Sequence, residues 1–281
     1  MTIFQGNIKK MRVGVSPNNQ VTYQLPIGEN LVDMNALIGK SITVTHSGVI
    51  NCVHCSRKTN KSFNQGYCFV CLRSLAQCDT CIIKPELCHY TAGTCREPEW
   101  GESHCLQDHF VYLSNTGQIK VGITKFVNDG NGVSSRWIDQ GASQAIAIYR
   151  VKERLLSGLI ETEIAKHMGD KTNWRTMLKG QPETLELATM RDKVHVLVAE
   201  KVAELQQQHG LQAIQPLDTP PVIIDYPVTQ YPVKIKSINL DKEKVFTGTL
   251  LGIKGQYLML DADRVINIRK YTGYDWNIEV A

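Results

Sequence analysis

Short stretches in which apolar and polar residues alternate open the chain. KKMRVGV, VTYQLPI and KSITVTH each read as a strand with one buried face, and SPNNQ and IGEN interrupt them as turns do. The alternation returns towards the other end in VIIDYPV, VKIKSINL, VFTGTLLGIKG, QYLMLD and RVINIRK, after the proline-bearing linker QPLDTPPV. These segments predict a small β-barrel or sandwich formed by the chain ends. Between them the period changes. Leu187, Met190, Val194, Leu197, Val198, Val202 and Leu205 recur at helical spacing before Gly210, so one long amphipathic helix is expected over 181–210. ERLLSGLIETEIAKHM predicts another helix, with Leu156, Ile160, Ile164 and Met168 along its stripe and Gly169 ending it. Glu161 falls at the border of that stripe, while Glu163 points further round. Ahead of it, FVYLS and QIKVGIT flank the turn NTG as a hairpin, with Val111 and Leu113 on one face and Phe110, Tyr112 and Ser114 on the other. A short helical piece in GVSSRWIDQGA carries Arg136, and the strand-like QAIAIYRV follows. Strand and helix periods in separate stretches place the chain in the α+β class.

Composition narrows the compartment. The chain has 281 residues, 42% of them hydrophobic, enough to bury a real core. The first twenty residues hold no apolar h-region, and no run approaches the ~18 apolar residues of a membrane span. A cytoplasmic protein is expected. All nine cysteines lie between Cys52 and Cys105, an odd count with several Cys-x-x-Cys pairs, which reads as metal binding in a reducing compartment rather than as disulfides.

Within that Cys-rich head, Cys52-x-x-Cys55 and Cys68-x-x-Cys71 form two knuckles able to give four thiolates to one tetrahedral ion. Zn²⁺ suits four soft ligands in a closed structural site, and an iron–sulfur cluster is the rival. Further on, Cys78, Cys81, Cys88, Cys95, Cys105 and His109 are six candidates for one more four-coordinate zinc. The cadence CHYTAGTC…HCLQDH favours Cys88, Cys95, Cys105 and His109, whereas Cys78-x-x-Cys81 has the better knuckle spacing, and both sets stay open. His89 and His104 are weaker candidates. One or two structural zinc sites are expected.

The net charge of +4 is too small to announce a nucleic-acid partner alone. Its distribution says more, because residues 110–180 hold 10 Lys and Arg against 6 Asp and Glu.

The order of features in residues 108–180 resembles the GIY-YIG nuclease domain: a hairpin with Tyr on its first strand, a Gly-bearing second strand ending in Thr, an Arg on the next helix and a Glu on the one after. The whole chain, through KSFNQGYC, GTCREPEWGE, KVGIT, RWIDQGA and KTNWR, is similar to an uncharacterised bacterial family that carries a Cys-rich head ahead of such a domain. The resemblance implies a small mixed α/β domain in which Tyr112 and Gly122 stand at the two motifs and Arg136 is the catalytic arginine. It makes Glu161 the carboxylate for Mg²⁺ or Mn²⁺, and Asn173 a polar helper. One departure is plain: Lys120 stands where the second tyrosine is usual, and it serves as a base only if its pKa is lowered.

Five regions follow: a β-rich N-terminal region at 1–50, a zinc-binding head at 51–109, the GIY-YIG-like domain at 110–180, the long helix at 181–210 and a C-terminal β domain at 222–281. The functions in view are a zinc-stabilised phosphodiesterase acting on DNA or RNA, a non-catalytic nucleic-acid-binding protein that grips phosphate in the same cleft, and a zinc-organised protein-interaction scaffold.

Overall fold

A computed structural model describes residues 2–126, 132–169 and 171–281. The chain divides into two compact units. One takes the N-terminal residues through Arg73, Leu178–Gly180 and Asp225–Ala281, and the other takes Ser74–Met177 and Gln181–Ile224. The first two expected regions and the last therefore do not stand alone. Both chain ends build the first unit, and the Cys-rich head is divided between the two.

In the first unit a seven-stranded sheet runs in the order Thr2–Asn7, Tyr274–Val280, Ser41–Ile50, Val245–Lys254, Tyr257–Leu260, Arg264–Asn267 and Lys236–Ser237. Its C-terminal strand alternates as a half-buried strand should, with Tyr274, Trp276, Ile278 and Val280 inward. Those residues are set opposite the apolar face of Ser41–Ile50, Ile278 across from Val44 and Val280 across from Ile42. A separate three-stranded sheet of Arg12–Val15, Val21–Ile27 and Asn30–Asp33 buries Val21, Tyr23, Leu25 and Ile27. The expected barrel or sandwich is thus a large sheet and a small one, and among the described residues no pairing joins the two outer strands of the large sheet. The N-terminal strand is an addition to the alternating segments read from sequence. VKIKSINL contributes only Lys236–Ser237, and Val222–Ile223 pairs with Gln144–Val151 of the other unit's sheet.

The second unit is an antiparallel sheet. Val222–Ile223, Gln144–Val151, His109–Asn115 and Ile119–Thr124 lie side by side, with Ile214–Pro216 on the far half of Gln144–Val151. The hairpin forms as its alternation predicts: Val111, Leu113 and Val121 enter a core with Leu156, Ile160 and Ile164 of the helix Arg154–Ala165 and with Val194, Val198, Val202 and Leu205. The single long helix is corrected. It is two helices, Leu187–Leu197 and Ala199–His209, parted at Val198, whose φ of −107° and ψ of 9° leave the helical region. Residues 194–198 carry three valines, whose χ1 restriction weakens a helix there. The break turns Val198 into the core and leaves Leu197, expected on the buried stripe, 53% exposed. The helix predicted to reach Gly169 stops at Ala165.

Candidate functional site

The four knuckle thiols lie in the first unit just after the strand Ser41–Ile50. Cys52, Cys55, Cys68 and Cys71 bring their sulfurs within 4.8 Å of one another. Cys55 Sγ and Cys68 Sγ are 3.8 Å apart, the edge of a tetrahedron drawn around an ion with bonds of about 2.3 Å to sulfur. Local backbone builds this. The Ser56 N–H donates to Cys52 O at 2.9 Å, and Ser56 then takes a φ of +59°, which turns the first knuckle back on itself. Cys52 is buried, which disfavours its thiolate, yet the N–H groups of Cys55, Cys68 and His54 outweigh this and pull its pKa down to about 6. Burial and the neighbouring sulfurs push Cys71 the other way. Four thiols so placed can hold a structural metal such as zinc.

The other expected residues belong to the second unit. Tyr112 is fully buried on the strand His109–Asn115, on the face opposite Val111 and Leu113. Its hydroxyl donates to Gln140 Oε1 at 2.8 Å, and its ring meets Trp137 edge-on with centroids 5.7 Å apart. Gly122, directly across the hairpin, makes room for that ring: a Cβ there would sit 2.6 Å from Tyr112 Cζ. Burial pushes the phenol pKa up to about 12; the guanidinium of Arg136 opposes this by charge and hydrogen bonding, and the carboxylate of Glu161 adds to it. Tyr112, Arg136 and Glu161 therefore share one electrostatic neighbourhood. Arg136 sits in the short helix Ser135–Asp139, whose N-cap Ser134 accepts from the Arg136 N–H.

Lys120 is also buried, 5% exposed, on the second hairpin strand across from Ser114. Asn173 has a local role. Its Oδ1 accepts from the N–H groups of Arg175 and Thr176, so it caps the helical turn Trp174–Met177 and its oxygen is committed there.

Sequence reasoning missed two residues of this neighbourhood. Gln140 holds the Tyr112 hydroxyl and was read only as a letter of RWIDQGA, with no role of its own. Arg154 opens the helix that carries Glu161. It is half-buried, donates from Nη2 to Ile82 O at 2.6 Å, and feels Cys105, Arg136, Glu161 and Cys81. It was one more basic residue in a basic segment, and only packing distinguishes it.

The six later ligand candidates separate. Cys81, Cys88, Cys95 and Cys105 line one cavity of about 20 Å³, together with Asp79 and His89. Cys78 and His109 are not among the residues around it. His109 donates from Nδ1 to Gln107 O at 2.8 Å, and burial depresses its pKa to about 4, so it is a neutral imidazole.

No helix among the described residues is long and apolar enough to cross a membrane. No curated protein and no solved structure matches the chain. Residues 39–276 match DUF2797, described as a protein of unknown function, and with that span covering most of its length the chain belongs to the DUF2797 family.

Proposed function

We propose that this chain is a zinc-stabilised phosphodiesterase of the GIY-YIG kind, acting on DNA or RNA with a divalent metal at Glu161. The observation that carries the reading is the shared neighbourhood of Tyr112, Arg136 and Glu161, three side chains from a strand and two different helices. Their types suit the chemistry. A guanidinium stabilises charge gathering on a phosphate, and one carboxylate is a sufficient protein anchor for Mg²⁺, which keeps most of its waters and takes substrate oxygens. Such an ion, when bound, neutralises charge on the departing oxygen. Zinc at Cys52, Cys55, Cys68 and Cys71 is part of the same reading, with a structural role in the other unit.

A second reading has its own support. A tyrosine whose pKa is pushed up to about 12 keeps its proton at neutral pH, and Lys120 occupies the place of the second tyrosine. Those two features favour a protein that grips phosphate without cutting it.

The test is a panel of end-labelled single- and double-stranded DNA and RNA incubated with Mg²⁺ or Mn²⁺ and either the wild type or Glu161→Gln. Phosphodiesterase activity requires cleavage by the wild type and a fall of about a hundredfold or more in the variant. Salt-sensitive binding by both proteins with cleavage by neither selects the binding module. Absence of both binding and cleavage leaves the interaction scaffold.

A further inference from the structure

The thiols of the second unit are arranged unlike those of the first. Among the described residues, Cys52, Cys55, Cys68 and Cys71 form a group whose sulfurs all lie within 4.8 Å of one another, whereas Cys88, Cys95 and Cys105 form none. Yet these three and Cys81 surround one cavity of about 20 Å³, larger than the roughly 10–15 Å³ that a single water needs.

The cavity is built by close packing. Cys105 caps the helix Pro98–His104, and in that helix Gly101 lets Cys95 Sγ approach to 3.3 Å of where its Cβ would be. The turn Pro85–Leu87, which leads into Cys88, lies so tightly on the helix Arg154–Ala165 that a Cβ on Gly158 would come within 2.5 Å of Glu86 N. Beside the thiols, Arg154 is half-buried, its Nε atom is buried without an acceptor, and Cys105 and Cys81 act on its charge as Glu161 does. A net negative group held by the four sulfurs would give that cation a counter-charge.

In the alternative grouping, Asp79, Cys81 and His89, the carboxylate is drawn to a cation and one ring nitrogen to a hydroxyl, while His89 Nε2 faces Asp79 Oδ2 at 3.4 Å. Asp79 Oδ2 lies 2.7 Å from Arg96 Nε, and His89 Nδ1 is 2.8 Å from Thr94 Oγ1.

We propose that Cys81, Cys88, Cys95 and Cys105 hold an iron–sulfur cluster of the four-iron, four-sulfide type, separate from the zinc site of the first unit. Four thiolates on one ion must crowd to the spacing seen at Cys55 and Cys68, whereas four thiolates that each bind a different iron of a cluster stand farther apart around a larger space. The chain spacing agrees, because none of the four is in a Cys-x-x-Cys knuckle with another. Binding takes the four thiols to thiolates with release of four protons; sulfide comes from outside the protein, and the iron is supplied as ferric iron, half of which an external thiol reduces to ferrous. The assignment does not rest on the phosphodiesterase reading.

The experiment uses the full chain, purified without oxygen and treated with ferric iron, sulfide and a thiol that reduces half of that iron to the ferrous state, then desalted. Iron, acid-labile sulfide and zinc are counted per chain and the visible spectrum is recorded. The expected result is about four iron and four sulfide with an iron–sulfur absorption band, alongside one zinc. Cys88→Ser and Cys95→Ser lose the iron and sulfide and keep the zinc, whereas Cys78→Ser keeps all three. The proposal is overturned if the wild type takes up no iron and sulfide, whatever its zinc content, or if it keeps its cluster in Cys88→Ser. The wild-type count decides the matter even if the serine variants do not fold.

Discussion

At the scale of single residues, two positions turn packing into measurable quantities. Gly122 is read from sequence only as part of a motif, and the fold shows its use: the Tyr112 ring occupies the space its side chain would need. Because Tyr112 is fully buried and cannot swing away, Gly122→Ala should cost about 1–3 kcal/mol in denaturant unfolding and should release the hydroxyl from Gln140. Lys254 is the other. No pattern marked it, since it ends a strand as an ordinary surface lysine would, yet it is fully buried, donates to Gly180 O at 2.9 Å, and lies 5.4 and 5.5 Å from the ring centres of Tyr226 and Tyr231. Burial lowers its pKa to about 8 from an ordinary value near 10.5. Between those values the unfolded chain holds a proton that the folded chain does not, so this lysine makes the protein more stable as pH rises from about 8 towards 10. As pH falls through about 8 that contribution is lost. Thermal midpoints measured over this range should climb, and Lys254→Met should flatten the climb.

At the scale of elements, spacing rules work where a local motif dictates its own geometry. Two Cys-x-x-Cys knuckles close into a four-thiol set because the turn after each pair is made by hydrogen bonds between near neighbours. Cys52→Ser should therefore abolish zinc binding and, by leaving three ligands around an ion in a segment with little core of its own, cost about 4 kcal/mol or more in stability. Metal analysis paired with chemical unfolding checks it. The hairpin is equally local, and its two faces are those that alternation assigns. The helix over 181–210 is not. Its stripe is correct for Val194, Val198, Val202 and Leu205, but the interruption at Val198 depends on how both pieces pack on the sheet, and Leu197 is turned out as a result. Asn173 is a further lesson at this scale: a polar residue ahead of a helical turn caps it, a role that needs only three residues of sequence to explain.

At the scale of the whole molecule, the first unit is assembled from segments at opposite ends of the chain. The strand Tyr274–Val280 lies between Thr2–Asn7 and Ser41–Ile50, pairing with both, and buries Trp276 and Ile278. Deleting 274–281 should strip partners from both neighbouring strands and expose the apolar face of Ser41–Ile50, giving a product less soluble and more readily proteolysed than the full chain; expression followed by limited proteolysis checks this. The sequence by itself determined the α+β character, the hairpin, the helix facing it and the first metal-binding set, since periodicity and knuckle spacing are properties of neighbouring residues. Tertiary structure alone decided that the Cys-rich head is shared between two units, that Cys81, Cys88, Cys95 and Cys105 face one cavity, and that Tyr112, Arg136 and Glu161 lie near one another. Those groupings depend on contacts between residues far apart in the chain, whose closure is driven by burying the core beneath them and leaves no local period to read.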